Sequence, residues 1–202
     1  MSDREDRITD AILRGSAYER VLHTERGLFT VPAPRTFAIQ AALLATLSSV
    51  LPLYLLFPAS VGVHVPTTDP FAASPKLLVL GFFGLGAQIL GALGLLAAAG
   101  YRRWSAPLTE GQARTVLDAQ RVATGLSVVT GGVGVCFTVG IVALGVAGPE
   151  PLGTYLDAIA GSNPFTEIGV GLTVAHLGIA SALSAVVVLG FRTAVVGLHA
   201  EE

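Results

Sequence analysis

Residues 77–99 read LLVLGFFGLGAQILGALGLLAAA, with no Asp, Glu, Lys or Arg among them. At a rise of ~1.5 Å per residue such a helix is long enough for a bilayer core of ~30 Å. It is apolar on every side, whereas a helix on a soluble core is apolar along one stripe. Three more stretches share the pattern: 36–57, 122–147 and 168–191 also carry no charged residue. Four such runs in one chain predict an all-α integral membrane protein of four transmembrane helices.

Composition agrees. Charged residues make up 13% of the 202, about half the share of a soluble domain. Glycine is abundant, at 24 residues, which suits helices that approach closely in lipid. The net charge of −2 gives no basic field for nucleic acid. Cys136 is the single cysteine, so no intrachain disulfide can form. Lysine occurs only at Lys76. GC-rich coding DNA accounts for that, as does a salt-adapted (halophilic) prokaryotic origin.

The basic residues set the expected orientation, because they concentrate on the cytoplasmic side of multi-pass proteins. Arg4, Arg7, Arg14, Arg20, Arg26 and Arg35 precede the first span; Arg102, Arg103, Arg114 and Arg121 lie between the second and third; Arg192 follows the fourth. The other side has Lys76 against Asp69, Glu150, Asp157 and Glu167. Both termini are therefore expected in the cytoplasm, with the protein multi-pass in the plasma membrane. Tyr101 and Trp104 suit the interfacial belt on that side. The organisation expected is a cytoplasmic segment 1–35, a transmembrane domain 36–196 and a tail 197–202. The opening segment is mixed in charge and lacks the apolar run of a cleavable signal peptide.

The connecting segments carry helix signals. Ser2 to Glu5 forms a capping-box pattern. Ile8, Ala11, Ile12, Tyr18, Val21 and Leu22 follow loosely on one face, which predicts an amphipathic helix on the cytoplasmic membrane surface. Thr109 to Gln112 is a second capping box, whose helix is expected to run unbroken into the third span. Ser74-Pro75 and Asn163-Pro164 each place a capping side chain before a proline suited to a first helical position. Leu152, Tyr155, Leu156 and Ile159 recur at helical spacing, predicting a short amphipathic helix in the second outer loop. Asp69-Pro70-Phe71 and Asn163-Pro164-Phe165 stand 94 residues apart, a faint sign of two repeated hairpins. Coincidence explains so short a match as well.

Function inside a membrane usually announces itself through ionisable groups at depth, and the four spans hold no Asp, Glu, Lys or Arg, with His176 the one histidine among them. Counted from the nearest charged or span-bounding residue, His176 is expected ~12 Å, Cys136 ~8 Å, Ser48 and Ser49 ~10 Å, and Gln88 ~18 Å below the outer face. These five residues form the candidate ligand or pathway set, a polar band in the outer leaflet. Pro52 should kink the first span just above it. The same residues are also ordinary interhelix hydrogen-bonding and packing groups.

Catalytic and cofactor readings fail on inventory. Paired haem ligands are missing from the spans. Gly125-Leu126-Ser127 resembles a serine-nucleophile pattern, but Ser127 is expected ~9 Å from the inner face and His176 near the outer. His23, His64 and His199 are scattered among different segments, so no metal cluster, catalytic set or cofactor is expected. The small-xxx-small rows (Gly132, Cys136, Gly140; Gly171, Ala175; Gly178, Ala182) point to close helix packing. The function expected is that of a structural or accessory membrane protein, its partners the lipid bilayer and copies of itself or other membrane subunits. The alternative is a small channel or transporter using the polar band; a membrane enzyme comes third.

The orientation is directly testable. A reporter fused after Glu202 should read cytoplasmic, and a tag within 151–163 should be labelled on intact cells. Labelling only after lysis would reverse the topology.

Overall fold

A computed structural model describes residues 21, 31–159 and 162–200, the last four by their backbone alone. The described residues form α1 (Ala33–Ser48), α2 (Val50–Leu55), a 3-10 turn (Ala59–Val63), α3 (Leu77–Trp104), α4 (Glu110–Thr124), a π-helical turn (Gly125–Gly131), α5 (Gly132–Ala147), α6 (Pro149–Ala158) and α7 (Val174–Ala200). Four helical stretches are long and apolar enough to cross a membrane: Ala33–Leu55, Leu77–Trp104, Glu110–Ala147 and Val174–Val196. This is the build of a multi-pass membrane protein. Phe37, Leu44, Leu47, Leu78, Leu95, Val135 and Leu177 fill the interior. Val79, Phe83, Leu90, Phe137, Leu183 and Val186 stand on the outside, an apolar exterior suited to lipid. One end of the bundle carries Arg102, Arg103 and Arg114 and is called the basic end below. The other, carrying residues 58–76, 148–159 and 162–173, is called the loop end.

The first span breaks where Pro52 predicts. Regular helix stops at Ser49, whose amide turns back to the Thr46 carbonyl at 3.1 Å. Pro52 has no N–H to offer the Ser48 carbonyl. Gly178 of α7 nests in this bend: a Cβ there would lie 2.6 Å from the Leu51 Cβ and 3.5 Å from the Ser48 oxygen. Only glycine lets α7 approach the kink so closely. Glycine also sets the approach of α3 to the third span. Gly84 and Gly134 face each other, with a Cβ on Gly134 3.2 Å from the Gly84 Cα and the Leu80 carbonyl oxygen.

The third span behaves as its capping box predicts. The Gln112 amide donates to the Thr109 Oγ1 at 3.3 Å, and the Thr109 amide donates to the Gln112 Oε1 at 3.0 Å. From there helix runs without interruption to Ala147, but through a π-turn at 125–131 that no sequence signal announced. The short helix of the second loop is present as α6. Leu152 and Leu156 are buried, Tyr155 and Ile159 pack beside the core, and Asp157 is exposed.

The fourth helix corrects the expectation of a span from 168. It starts at Val174, because the Asn163 side chain is used elsewhere and Gly169 and Gly171 take φ of 63° and 71°. Such backbone leaves the helical region, and glycine adopts it without strain. Thr173 caps the helix instead. Ser74-Pro75 likewise does not start α3, which begins at Leu77; Pro75 forms an isolated antiparallel bridge with Glu167.

The two Asx-Pro-Phe tripeptides perform one task twice. The Asp69 Oδ1 accepts from the Phe71 amide at 2.9 Å, and the Asn163 Oδ1 accepts from the Phe165 amide at 2.8 Å. Both are Asx-turns. Each turn then caps the helix of the other hairpin. The carbonyls of Pro164 and Thr166 accept from the amides of Leu77 and Lys76, at 3.0 and 2.9 Å. The carbonyls of Pro70 and Ala73 accept from those of Ala175 and Val174, at 2.9 and 3.1 Å. The Ile168 amide donates to the Ser74 carbonyl at 3.0 Å, and these two residues again stand 94 apart. The Asn163 Nδ2 also donates to the His64 carbonyl at 2.7 Å. Phe165 then enters an aromatic cluster with Phe57 and Tyr54, whereas Phe71 is exposed.

The expected N-terminal surface helix, with its capping box at Ser2, lies outside the described residues apart from Val21. That side chain is buried against Ala113 and Leu117 of α4.

Candidate functional site

Three buried polar residues meet where the π-turn interrupts the third span. Gln40 on α1, Gln88 on α3 and Ser127 in the π-turn are each fully buried. The Gln88 Nε2 donates to the Ser127 carbonyl at 2.8 Å. The Gln40 Nε2 donates to the Ser127 Oγ at 2.8 Å. The Ser127 hydroxyl donates in turn to the Ala123 carbonyl at 2.8 Å. This chain fixes the orientation of both amides. A carbonyl can only accept, and the single hydroxyl proton of Ser127 is already directed at its own helix. Both glutamines therefore present NH2 to Ser127, and their Oε1 atoms are left buried without a hydrogen-bond partner.

Glycines make the meeting possible. A Cβ on Gly131 would stand 2.9 Å from the Gln88 Nε2. A Cβ on Gly91 would stand 2.5 Å from the Ser127 Cβ and 2.8 Å from the Ala123 oxygen. The π-turn itself widens the helix by one residue per turn, and its Ser127 carbonyl accepts both the Gly132 amide and Gln88.

The outer band expected from the sequence does not form as one layer. His176 is at the start of α7, two residues past its first, and is exposed. Its Nδ1 accepts from the Thr173 amide at 3.1 Å and lies 2.8 Å from the Thr173 Oγ1, while the His176 amide donates to that Oγ1 at 3.4 Å. This is a capping box with histidine in the place usually held by Glu or Gln. The expected depth of ~12 Å assumed a helix from residue 168; the later start brings His176 to the loop end. Ser48 and Ser49 turn their hydroxyls back to the Ala45 and Thr46 carbonyls, at 2.7 and 2.6 Å. Cys136 faces outward. Of the five candidates only Gln88 joins an interhelix polar cluster, and its partners are Gln40 and Ser127 rather than the other four.

Gln40 and Ser127 are not among the sequence candidates, although a depth signal for Ser127 exists. At ~18 Å below the outer face of a ~30 Å core, Gln88 stands ~12 Å above the inner face, close to the ~9 Å expected for Ser127. Among the described residues, no three of His, Cys, Asp and Glu come together as a metal site. No protein-family model, curated protein or solved structure matches the chain.

Replacing Ser127 by alanine strands the Gln40 amide without its acceptor. Ser127→Ala should lower unfolding free energy in mixed micelles by about 1–3 kcal/mol, the cost of an unsatisfied buried donor. An unchanged unfolding curve would contradict the hydrogen-bond chain.

Proposed function

We propose that this protein is a structural or accessory subunit of the plasma membrane, with both termini cytoplasmic, that acts by packing against further transmembrane helices. The arginine distribution supports the orientation, since the basic end faces the cytoplasm under the positive-inside rule.

The observation that carries the packing role is the outward face of the third span. Val133, Cys136, Phe137 and Gly140 are exposed there, and a Cβ on Gly140 would meet nothing within 4 Å. Glycine within a helix costs roughly 0.5–1 kcal/mol relative to alanine. At Gly84, Gly91, Gly131 and Gly178 a neighbour within the chain uses the space; at Gly140 none does. A notch between larger side chains is what a second transmembrane helix uses for close approach. The pathway reading has less support. Ser48, Ser49 and His176 are occupied by their own helix or its cap, and Gln88 is bonded to Ser127.

Cys136 lies one turn from Gly140 and is the only cysteine, which makes it a built-in reporter. In native membranes a short bismaleimide should join two chains through it, and Gly140→Leu should abolish the product while leaving the monomer folded. A partner of another kind would instead give a particle heavier than one chain in mild detergent, without that product. A particle of single-chain mass, with no cross-link, would overturn the proposal.

A further inference from the structure

The capping boxes of α4 and α7 differ in one respect. At the start of α4 the third helical residue is Gln112, whose side chain accepts from the Thr109 amide at 3.0 Å. At the start of α7 that residue is His176, whose Nδ1 accepts from the Thr173 amide at 3.1 Å. A glutamine does not titrate, whereas an imidazole changes charge between about pH 5 and 8. The geometry also fixes the tautomer. A backbone N–H can only donate, so Nδ1 carries a lone pair and the proton of the neutral ring sits on Nε2. The Thr173 hydroxyl, 2.8 Å from Nδ1, is a second donor to it.

Protonation of Nδ1 reverses this arrangement. The nitrogen becomes a donor. The hydroxyl can turn and accept from it, but the Thr173 amide cannot turn and loses its acceptor. Thr173 is buried, so that loss is costly. The charge is also badly placed, because the first turn of a helix is the positive end of its dipole. His176 itself is exposed, so solvent protons reach it. Of the elements packed against α7, α1 brings Arg35 and α3 brings Tyr101, Arg102 and Arg103, all at the basic end. α2 brings Tyr54, whose hydroxyl donates to the Thr67 carbonyl at 3.1 Å. The turn before α3 brings Asp69 and Lys76, and the segment before α7 brings Glu167. Among the described residues none of these groups pairs with the His176 ring.

We propose that His176 is a proton switch on the exchange of caps between the two hairpins. The amides that follow Thr173, those of Val174 and Ala175, donate to the carbonyls of Ala73 and Pro70. The neutral ring holds the first turn of α7 in place for those two bonds, and the protonated ring opens it. The closed turn excludes a proton that the open turn accepts. Its stability is therefore present while the ring is neutral and is lost as the pH falls. The switch is independent of the packing role. The orientation proposed above decides only which protons it senses, those outside the cell.

The test is an NMR pH series on the whole chain in nanodiscs. It follows the imidazole nitrogens of His176 together with exchange protection at the Thr173, Val174 and Ala175 amides, corrected for the intrinsic pH dependence of exchange. The neutral ring should be the Nε2–H tautomer. As Nδ1 takes up its proton, protection at the three amides should fall roughly five-fold or more, the effect of a lost cap. His176→Gln keeps an acceptor there that does not titrate, and should stay protected across the same range. His176→Ala should lack the protection at every pH. A neutral ring carrying its proton on Nδ1 overturns the proposal. So does protection that survives protonation of the wild-type ring, that falls equally in His176→Gln, or that persists in His176→Ala.

Discussion

The first-turn amides of a helix have no acceptor within their own helix, and hydrocarbon supplies none. In this chain the two membrane-crossing helices that start at the loop end, α3 and α7, solve the problem for each other. The turn before α3 caps α7, and the turn before α7 caps α3. Each Asx-turn depends on one side-chain oxygen, that of Asp69 or Asn163. The two hairpins are therefore tied where neither could terminate cleanly alone. Because the exchange is reciprocal, the loops behave as one unit, and the aromatic cluster of Tyr54, Phe57 and Phe165 is seated beneath it.

Below that tie the helices are held by backbone proximity. A lipid-facing protein gains little from burying apolar side chains against each other, because the tails are equally apolar. Close contact and interhelix hydrogen bonds matter more. Gly84 against Gly134 and Gly178 against the Pro52 kink supply the contact. Gln40, Gln88 and Ser127 supply the hydrogen bonds. The two devices coincide at the π-turn, where Gly91 and Gly131 leave room for polar side chains that bulkier neighbours would exclude.

The charge-free runs were legible because lipid imposes one requirement on every position they contain. The Thr109 capping box and the Leu152–Ile159 periodicity were legible for a similar reason: each is a local pattern with a local cause. What the sequence hid depends on relations between distant segments. Asn163-Pro164 looks like a helix start, and nothing nearby reveals that its oxygen closes a turn whose carbonyls serve α3. A helix begun at 168 would carry His176 deeper than its place near the start of α7. The π-turn has no composition signature. Gln88 falls outside an outer band because its level, taken from both faces, is close to that of Ser127. The repeat of Asx-Pro-Phe was visible, but three residues carry meaning only when both copies make the same bonds.

Hydrogen exchange in nanodiscs tests the reciprocal tie most directly. The amides of Lys76, Leu77, Val174 and Ala175 should be protected, unlike ordinary first-turn amides. Asn163→Ala should then speed exchange at Lys76 and Leu77, across the hairpin boundary, and Asp69→Ala should do the same at Val174 and Ala175. If each substitution instead loosens only the helix that follows it in sequence, the hairpins cap themselves and the account is wrong.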